Sequence, residues 1–216
     1  VVQHQLDLPV PQVVVPDVRM ALAYMAAEFY GRPADQLKMV GITGTKGKTT
    51  VSFLIKSVLD GAGHKTGLIG TVGSMVGEER IPAQLTTPDP VEIHRLLRRM
   101  VDEGIEYVVM EVSAHAMAMR RVDGIFFQVV GFTNFSQDHL DFFGDMDTYL
   151  KAKLALIAKE RCGRVVYNAD DERVAQAIRH IDVPRAAVGI RQPQVEGEHG
   201  AFDAQPGDHQ PGAHRQ

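Results

Sequence analysis

Lys48 and Thr49 close a glycine-spaced run, GITGTKGKTT at residues 41–50, that follows an apolar stretch and leads into a helical pattern. A strand, a glycine-rich turn and a helix are the context of a phosphate-binding loop, because the N–H groups of the turn and of the first helical turn then point at one spot. Gly44 and Gly47 let the backbone approach phosphate oxygens, and Thr45, Lys46 and Thr50 complete the loop's lining. Lys48 can reach the β and γ phosphates, and Thr49 can hold Mg²⁺ through its hydroxyl. The spacing departs from the commonest phosphate loop, whose first glycine would fall on Ile42. A GTPase switch is the obvious rival. DFFG at 141–144 fits one of its strings, but no NKxD follows, so GTP is set aside.

A second set of candidates lies downstream in TTPDP (86–90), MEVSAHAMAMRRV (110–122) and FTNFSQDHLDFFGDMDTYLKAK (132–153). Glu111 sits near the C-terminal end of the apolar run YVVMEVS, and His139 follows the end of another. In an open parallel sheet that edge is where ligands bind. A carboxylate inside so apolar a run needs a partner, and a cation is a good one. His139 has an alternative as a capping or core histidine. Read alone, Lys153 is an ordinary exposed lysine on an amphipathic helix.

These residues need elements to hold them. Residues 12–33 read as a short strand and a helix capped by Asp17, with Met20, Tyr24 and Ala27 at helical spacing. Strands are expected at 37–43, 65–73, 107–113, 129–134, 164–170 and 185–190. Helices are expected at 49–63, 89–104, 146–160 and 171–180, the first with Val51, Leu54, Ile55, Val58 and Leu59 on one face. The alternation predicts an α/β fold, a mostly parallel sheet with helices on both faces.

Composition narrows the classes. A net charge of −4 argues against a nucleic-acid surface, and no apolar run approaches a membrane span. Cys162, the single cysteine, rules out an intrachain disulfide or a cysteine metal cluster. The absence of a signal peptide makes the cytoplasm the expected location. The chain opens on Val1, and its last stretch is rich in Gly, Pro, Gln and His, too poor in apolar residues to order itself. A fragment is therefore expected.

The order and spacing of these four strings resemble the Mur ligase superfamily, and within it the MurE type, which adds an amino acid to UDP-N-acetylmuramoyl-dipeptide in peptidoglycan synthesis. The resemblance runs from about Val13 to Ile190. It implies that ATP phosphorylates a substrate carboxylate and that an amine attacks the acyl phosphate. It implies substrate contacts from Thr86, Thr87, Ser113 and Arg121, Mg²⁺ ligands at Glu111 and His139, and a carbamylated lysine at Lys153, whose anionic adduct would serve the metal where an ammonium could not. Lys48, His139 and Lys153 become the catalytic set. It implies three segments: 1–35, the end of an N-terminal UDP-substrate domain; 36–192, part of an ATP-binding central domain; and 193–216, a disordered or non-native tail. Such a piece is expected to be monomeric and unable to complete ligation by itself. A folylpolyglutamate-synthase-like member of the superfamily, or a non-catalytic ATP-binding module, remains the alternative. Ala114 and Met119 depart from the family's Ser and Gln and affect sugar and peptide contacts.

Overall fold

The structure, a computed structural model, describes residues 1–190. The expectation for 193–216 lies outside them. Eight strands form one sheet: β1 (Lys38–Thr43), β2 (Thr66–Gly70), β3 (Gly73–Val76), β4 (Glu79–Ile81), β5 (Tyr107–Glu111), β6 (Val129–Phe132), β7 (Val165–Asn168) and β8 (Arg185–Val188). Their order is β4-β3-β2-β5-β1-β6-β7-β8. The six strands from β2 to β8 in that order are parallel, and β3 and β4 add an antiparallel edge. The helices are α1 (Val18–Phe29), α2 (Lys48–Gly61), α3 (Pro90–Asp102), α4 (Ala114–Ala118), α5 (Leu140–Phe143), α6 (Met146–Leu154) and α7 (Glu172–Ile178).

The chain leaves β1 in one direction to build β2 and β5. It then crosses β1 and builds β6, β7 and β8 on the other side. The C-terminal ends of β1, β5 and β6 flank this reversal, and a crevice there is the general ligand position of such sheets. One face of the sheet carries the main core, where Met39, Val108, Met110 and Val130 meet Ile93, Leu96, Leu97 and Met100 of α3.

Several sequence expectations are corrected. The strand expected at 65–73 ends at Gly70, and a two-residue turn, Thr71-Val72, reverses the chain into β3. The short strand expected near residue 13 is absent, and a single bridge between Val2 and Val14 stands in its place. In α1, Met20 and Tyr24 face outward, while Ala23, Ala26 and Ala27 are buried against neighbours that include α3. Small side chains let two helices approach closely, which outweighs the larger apolar area of Met and Tyr. The helix expected to reach residue 160 ends at Leu154, and a 3-10 turn at Ala155–Ile157 drives Leu156 and Ile157 into the core. In α2 the apolar row is only partly covered by the sheet. Ser52 and Lys56 are buried there, and Leu54 and Val58 are 60% and 71% exposed. Val51 and Ile55 instead wall an open apolar groove of about 550 Å³ over β1, β6 and β7.

Candidate ATP and substrate site

The loop between β1 and α2 is held from outside by residues that sequence reading passed over. Asn134 accepts from the N–H of Thr45 (2.9 Å) through its carbonyl and from Lys46 N (2.9 Å) through Oδ1. Its amide donates back to the Lys46 carbonyl (2.9 Å), and Thr133 Oγ1 donates to the same oxygen (2.7 Å). Thr45 Oγ1 donates to the Ser136 carbonyl and lies 3.3 Å from the Tyr149 hydroxyl. Gly44 has φ of 136°, and a Cβ there would overlap Thr133 Oγ1. The glycine therefore answers both a backbone conformation and a close approach.

Capping chemistry marks the open end of the loop. Asp17, Asp89, Ser113, Asp145 and Asp171 each cap the helix that follows them. The N-terminus of α2 has Gly47 at the cap and no side-chain cap bond. Its free N–H groups and its dipole are left for an anion. Asp171 also accepts from Phe135 N (2.7 Å), which ties the 133–139 segment to α7.

Two lysines converge on this loop. Lys48 Nζ donates to the carbonyls of Gly44 (2.9 Å) and Thr45 (3.0 Å), and burial lowers its pKa against the pull of Glu111 and Asp138. Lys153 is 1% exposed, which corrects its reading as a surface lysine. The reason is the rotation of α6, which turns Tyr149 and Lys153 inward together. Lys153 Nζ donates to Gly44 O (2.8 Å) and lies 4.6 Å from the Tyr149 ring centre. Burial pushes its pKa down to about 7, and the Lys48 charge pushes it the same way.

Glu111 ends β5 with 0% exposure. Its Oε2 accepts from Thr49 Oγ1 (3.0 Å) and Thr71 Oγ1 (3.1 Å), and its Oε1 from Thr71 N (3.0 Å). A carboxylate that accepts the Thr49 proton leaves that hydroxyl's lone pairs facing the loop. The donor set here is hard oxygen, from one carboxylate and one hydroxyl. No group of three or more His, Cys, Asp or Glu forms a metal cage among the described residues. That set fits Mg²⁺, which binds through one or two carboxylates with substrate phosphates and water, rather than in an all-protein cage.

The four expected substrate residues come together. Thr87 is fully buried, and its hydroxyl donates to the Glu111 carbonyl (2.9 Å), accepts from Ser113 N (3.1 Å) and lies 3.4 Å from Ser113 Oγ. Arg121 donates to the Thr87 carbonyl (2.9 Å), and Thr86 Oγ1 lies 3.1 Å from Thr71 Oγ1. Thr87 thus spends its hydroxyl internally, while Thr86 is half-buried at the edge.

His139 sits seven residues beyond the end of β6, in a left-handed conformation (φ 52°) at the start of α5. Its ring meets that of His115 edge-on at 4.7 Å and lies 6.1 Å from Tyr149, so His139 and Lys153 flank the same tyrosine. Asn168 accepts from Asp170 N within its turn.

A phosphate loop joined to a buried carboxylate at the reversal point of a parallel sheet defines a class of nucleotide-using α/β enzymes. Residues 42–206 match the Mur ligase middle domain, and the chain belongs to that family. It is 43% identical over 199 residues to a UDP-N-acetylmuramoyl-L-alanyl-D-glutamate–2,6-diaminopimelate ligase of Geobacillus thermodenitrificans, covering 89% of this chain and 41% of that protein. It is 46% identical over 168 residues to the ligase of the same name from Clostridium perfringens, covering 78% and 34%. A solved structure of a ligase of that name superposes with a TM-score of 0.77 at 23% identity, over 89% of this chain and 40% of the other, and shares its fold. The chain therefore spans about two-fifths of the relatives it matches.

Proposed function

We propose that residues 36–190 form the ATP site and part of the substrate site of a cytoplasmic ligase that joins 2,6-diaminopimelate to UDP-N-acetylmuramoyl-L-alanyl-D-glutamate. The observation that carries this reading is the uncapped N-terminus of α2, set one hydrogen bond (Thr49 to Glu111) from a fully buried carboxylate. The choice of nucleotide follows from the loop's resemblance, and the choice of amino acid from the relatives' names.

In this reading the N–H groups of Gly47, Lys48 and Thr49 receive the phosphates, and Lys48 leaves the Gly44 and Thr45 carbonyls to reach them. Thr49 and Glu111 would hold one Mg²⁺, and His139 with a carbamate on Lys153 would serve a second. These ions would neutralise charge between the nucleotide and the substrate carboxylate. Thr86, Ser113 and Arg121 orient the UDP-substrate so that its carboxylate takes the γ-phosphoryl group. The acyl phosphate formed is then attacked by the amine, and phosphate leaves. Phosphoryl transfer of this kind depends on positioning and charge more than on covalent help from the protein.

Lys153 supports the carbamate by its place. It is buried, it has one carbonyl partner, and it stands beside a second ammonium, so an anion at Nζ would pair with Lys48 where a cation is repelled.

A chimera tests the proposal. Residues 38–190 of this chain would replace the matching segment of the Geobacillus thermodenitrificans ligase. The expected result is formation of the UDP-linked tripeptide with ATP consumption, seen by mass spectrometry. A folded chimera that consumes no ATP and yields no product would refute it.

A further inference from the structure

Of the three hydrogen bonds that hold Glu111, two come from a single residue outside the loop and outside the expected substrate set. Thr71 N–H donates to Oε1 and Thr71 Oγ1 donates to Oε2, at 3.0 and 3.1 Å. The local fold arranges this. The turn between β2 and β3 begins at Thr71, beside the end of β5, because β2 and β5 pair in parallel. Gly70, the last residue of β2, clears the way, since a Cβ there would overlap the Glu111 carboxylate. The carboxylate lies across the end of β2 and is clamped by the next residue.

Proton counting shows which partner holds the Thr71 hydroxyl. A carboxylate accepts only, and a hydroxyl has one proton. Thr71 has one proton for two acceptors, Glu111 Oε2 and Thr86 Oγ1, each 3.1 Å away, and the charged carboxylate is the stronger of them. Thr86, Thr71, Glu111 and Thr49 form one line of polar contacts, each within 3.1 Å of the next. It runs from the expected substrate threonine to the hydroxyl beside the phosphate loop.

We propose that Thr71 is a positioning residue that fixes the Glu111 carboxylate for Mg²⁺·nucleotide binding and links it to Thr86. The proposal rests on the reading of the loop as an ATP site. Removal of the hydroxyl leaves Oε2 with Thr49 alone, and Thr49 is then drawn toward the carboxylate instead of being shared with the metal. Thr71 itself is exposed in a two-residue turn, so substitution there does not open the core.

The test uses the 216-residue chain and a fluorescent ATP analogue, with affinity measured across a Mg²⁺ titration and again in EDTA. Thr71→Val keeps the N–H and the shape and loses the hydroxyl. A charge-assisted hydrogen bond of this kind corresponds to roughly a tenfold change or more. The expected result is a loss of that size in Mg²⁺-dependent affinity, Mg²⁺-free affinity within about twofold of the parent, and recovery in Thr71→Ser. Equal affinities for parent and Thr71→Val at every Mg²⁺ concentration would overturn the proposal. A loss that is the same with and without Mg²⁺, a loss that serine does not restore, or a variant without a cooperative melt would mark a merely structural role and overturn it too. If the unsubstituted chain binds no Mg²⁺·ATP analogue, the reading of the loop fails first and takes this one with it.

Discussion

Lys48 and Lys153 donate to one acceptor, the carbonyl oxygen of Gly44, at 2.9 and 2.8 Å. Burial lowers the pKa of both ammonium groups, and the Lys48 charge lowers that of Lys153 further. Two events relieve the arrangement. A phosphate at the loop would draw Lys48 away, and the proposed CO₂ adduct would convert Lys153 to an anion. The site is strained toward its ligands.

Carbamylation needs the neutral amine, and a folded pKa near 7 supplies it within the physiological range. The sign follows directly: neutral Lys153 grows as pH rises through about 7, so adduct formation should grow from pH 6 to pH 8 at fixed dissolved CO₂. The measurement is a carbon NMR signal from labelled bicarbonate that disappears in Lys153→Ala. The same strain predicts that Lys153→Met stabilises the chain at neutral pH, by on the order of 3 kcal/mol, because methionine fills the space without a buried charge. A chemical-denaturation midpoint that falls instead would count against the buried-ammonium account.

Asn134 was not among the candidates, yet it pairs with the N–H and the carbonyl of Lys46 and with Thr45 N. Asn134→Ala keeps the backbone bond to Thr45 and loses both side-chain bonds. A stability loss of about 1–3 kcal/mol is expected, with nucleotide affinity reduced roughly tenfold because a looser loop must be ordered on binding. Calorimetric titration and a thermal melt read the two effects separately.

His94 gives a pH dependence remote from the site. It lies on α3 at 1% exposure, and neither ring nitrogen has a partner among the described residues. Burial lowers its pKa from 6.5 to about 4, against a weaker pull from Asp35. The unfolded chain binds a proton there at a higher pH than the folded one. Its contribution to stability is therefore present above about 6.5 and is lost as pH falls toward 4. The loss amounts to roughly 3 kcal/mol. His94→Leu should flatten the stability profile between pH 6.5 and 4, measured by urea unfolding at several pH values.

Much of the fold was legible because it is local. Strand β1, the glycines of the loop and helix α2 follow from an apolar run, positive-φ positions and helical spacing in one continuous stretch. The parallel class follows from the alternation of elements. Residues whose roles depend on partners far along the chain were not legible. Thr71 meets Glu111 across 40 positions, and Asn134 meets Lys46 across 88. Neither has a local signature, since a threonine in a turn and an asparagine after a strand are common. The inward rotation of α6 was likewise hidden, because Lys153 alone looks like a surface residue. The outward face of α2 was hidden as well. Its apolar row reads as a core stripe, while Ser52 and Lys56 take the buried positions. Their places at strand ends singled out Glu111 and His139, the resemblance supplied Lys153, and the geometry brings Lys153 to the loop and Glu111 to Thr49.

The central claim is that the 41–50 loop is an ATP site, and calorimetric titration of Mg²⁺·ATP into the chain and into Lys48→Ala tests it most directly. The account predicts measurable binding by the parent chain and a loss of most of that affinity, roughly a hundredfold, in a variant whose thermal melt stays cooperative. Equal affinity in the two proteins, or no binding by the folded parent chain, would contradict it.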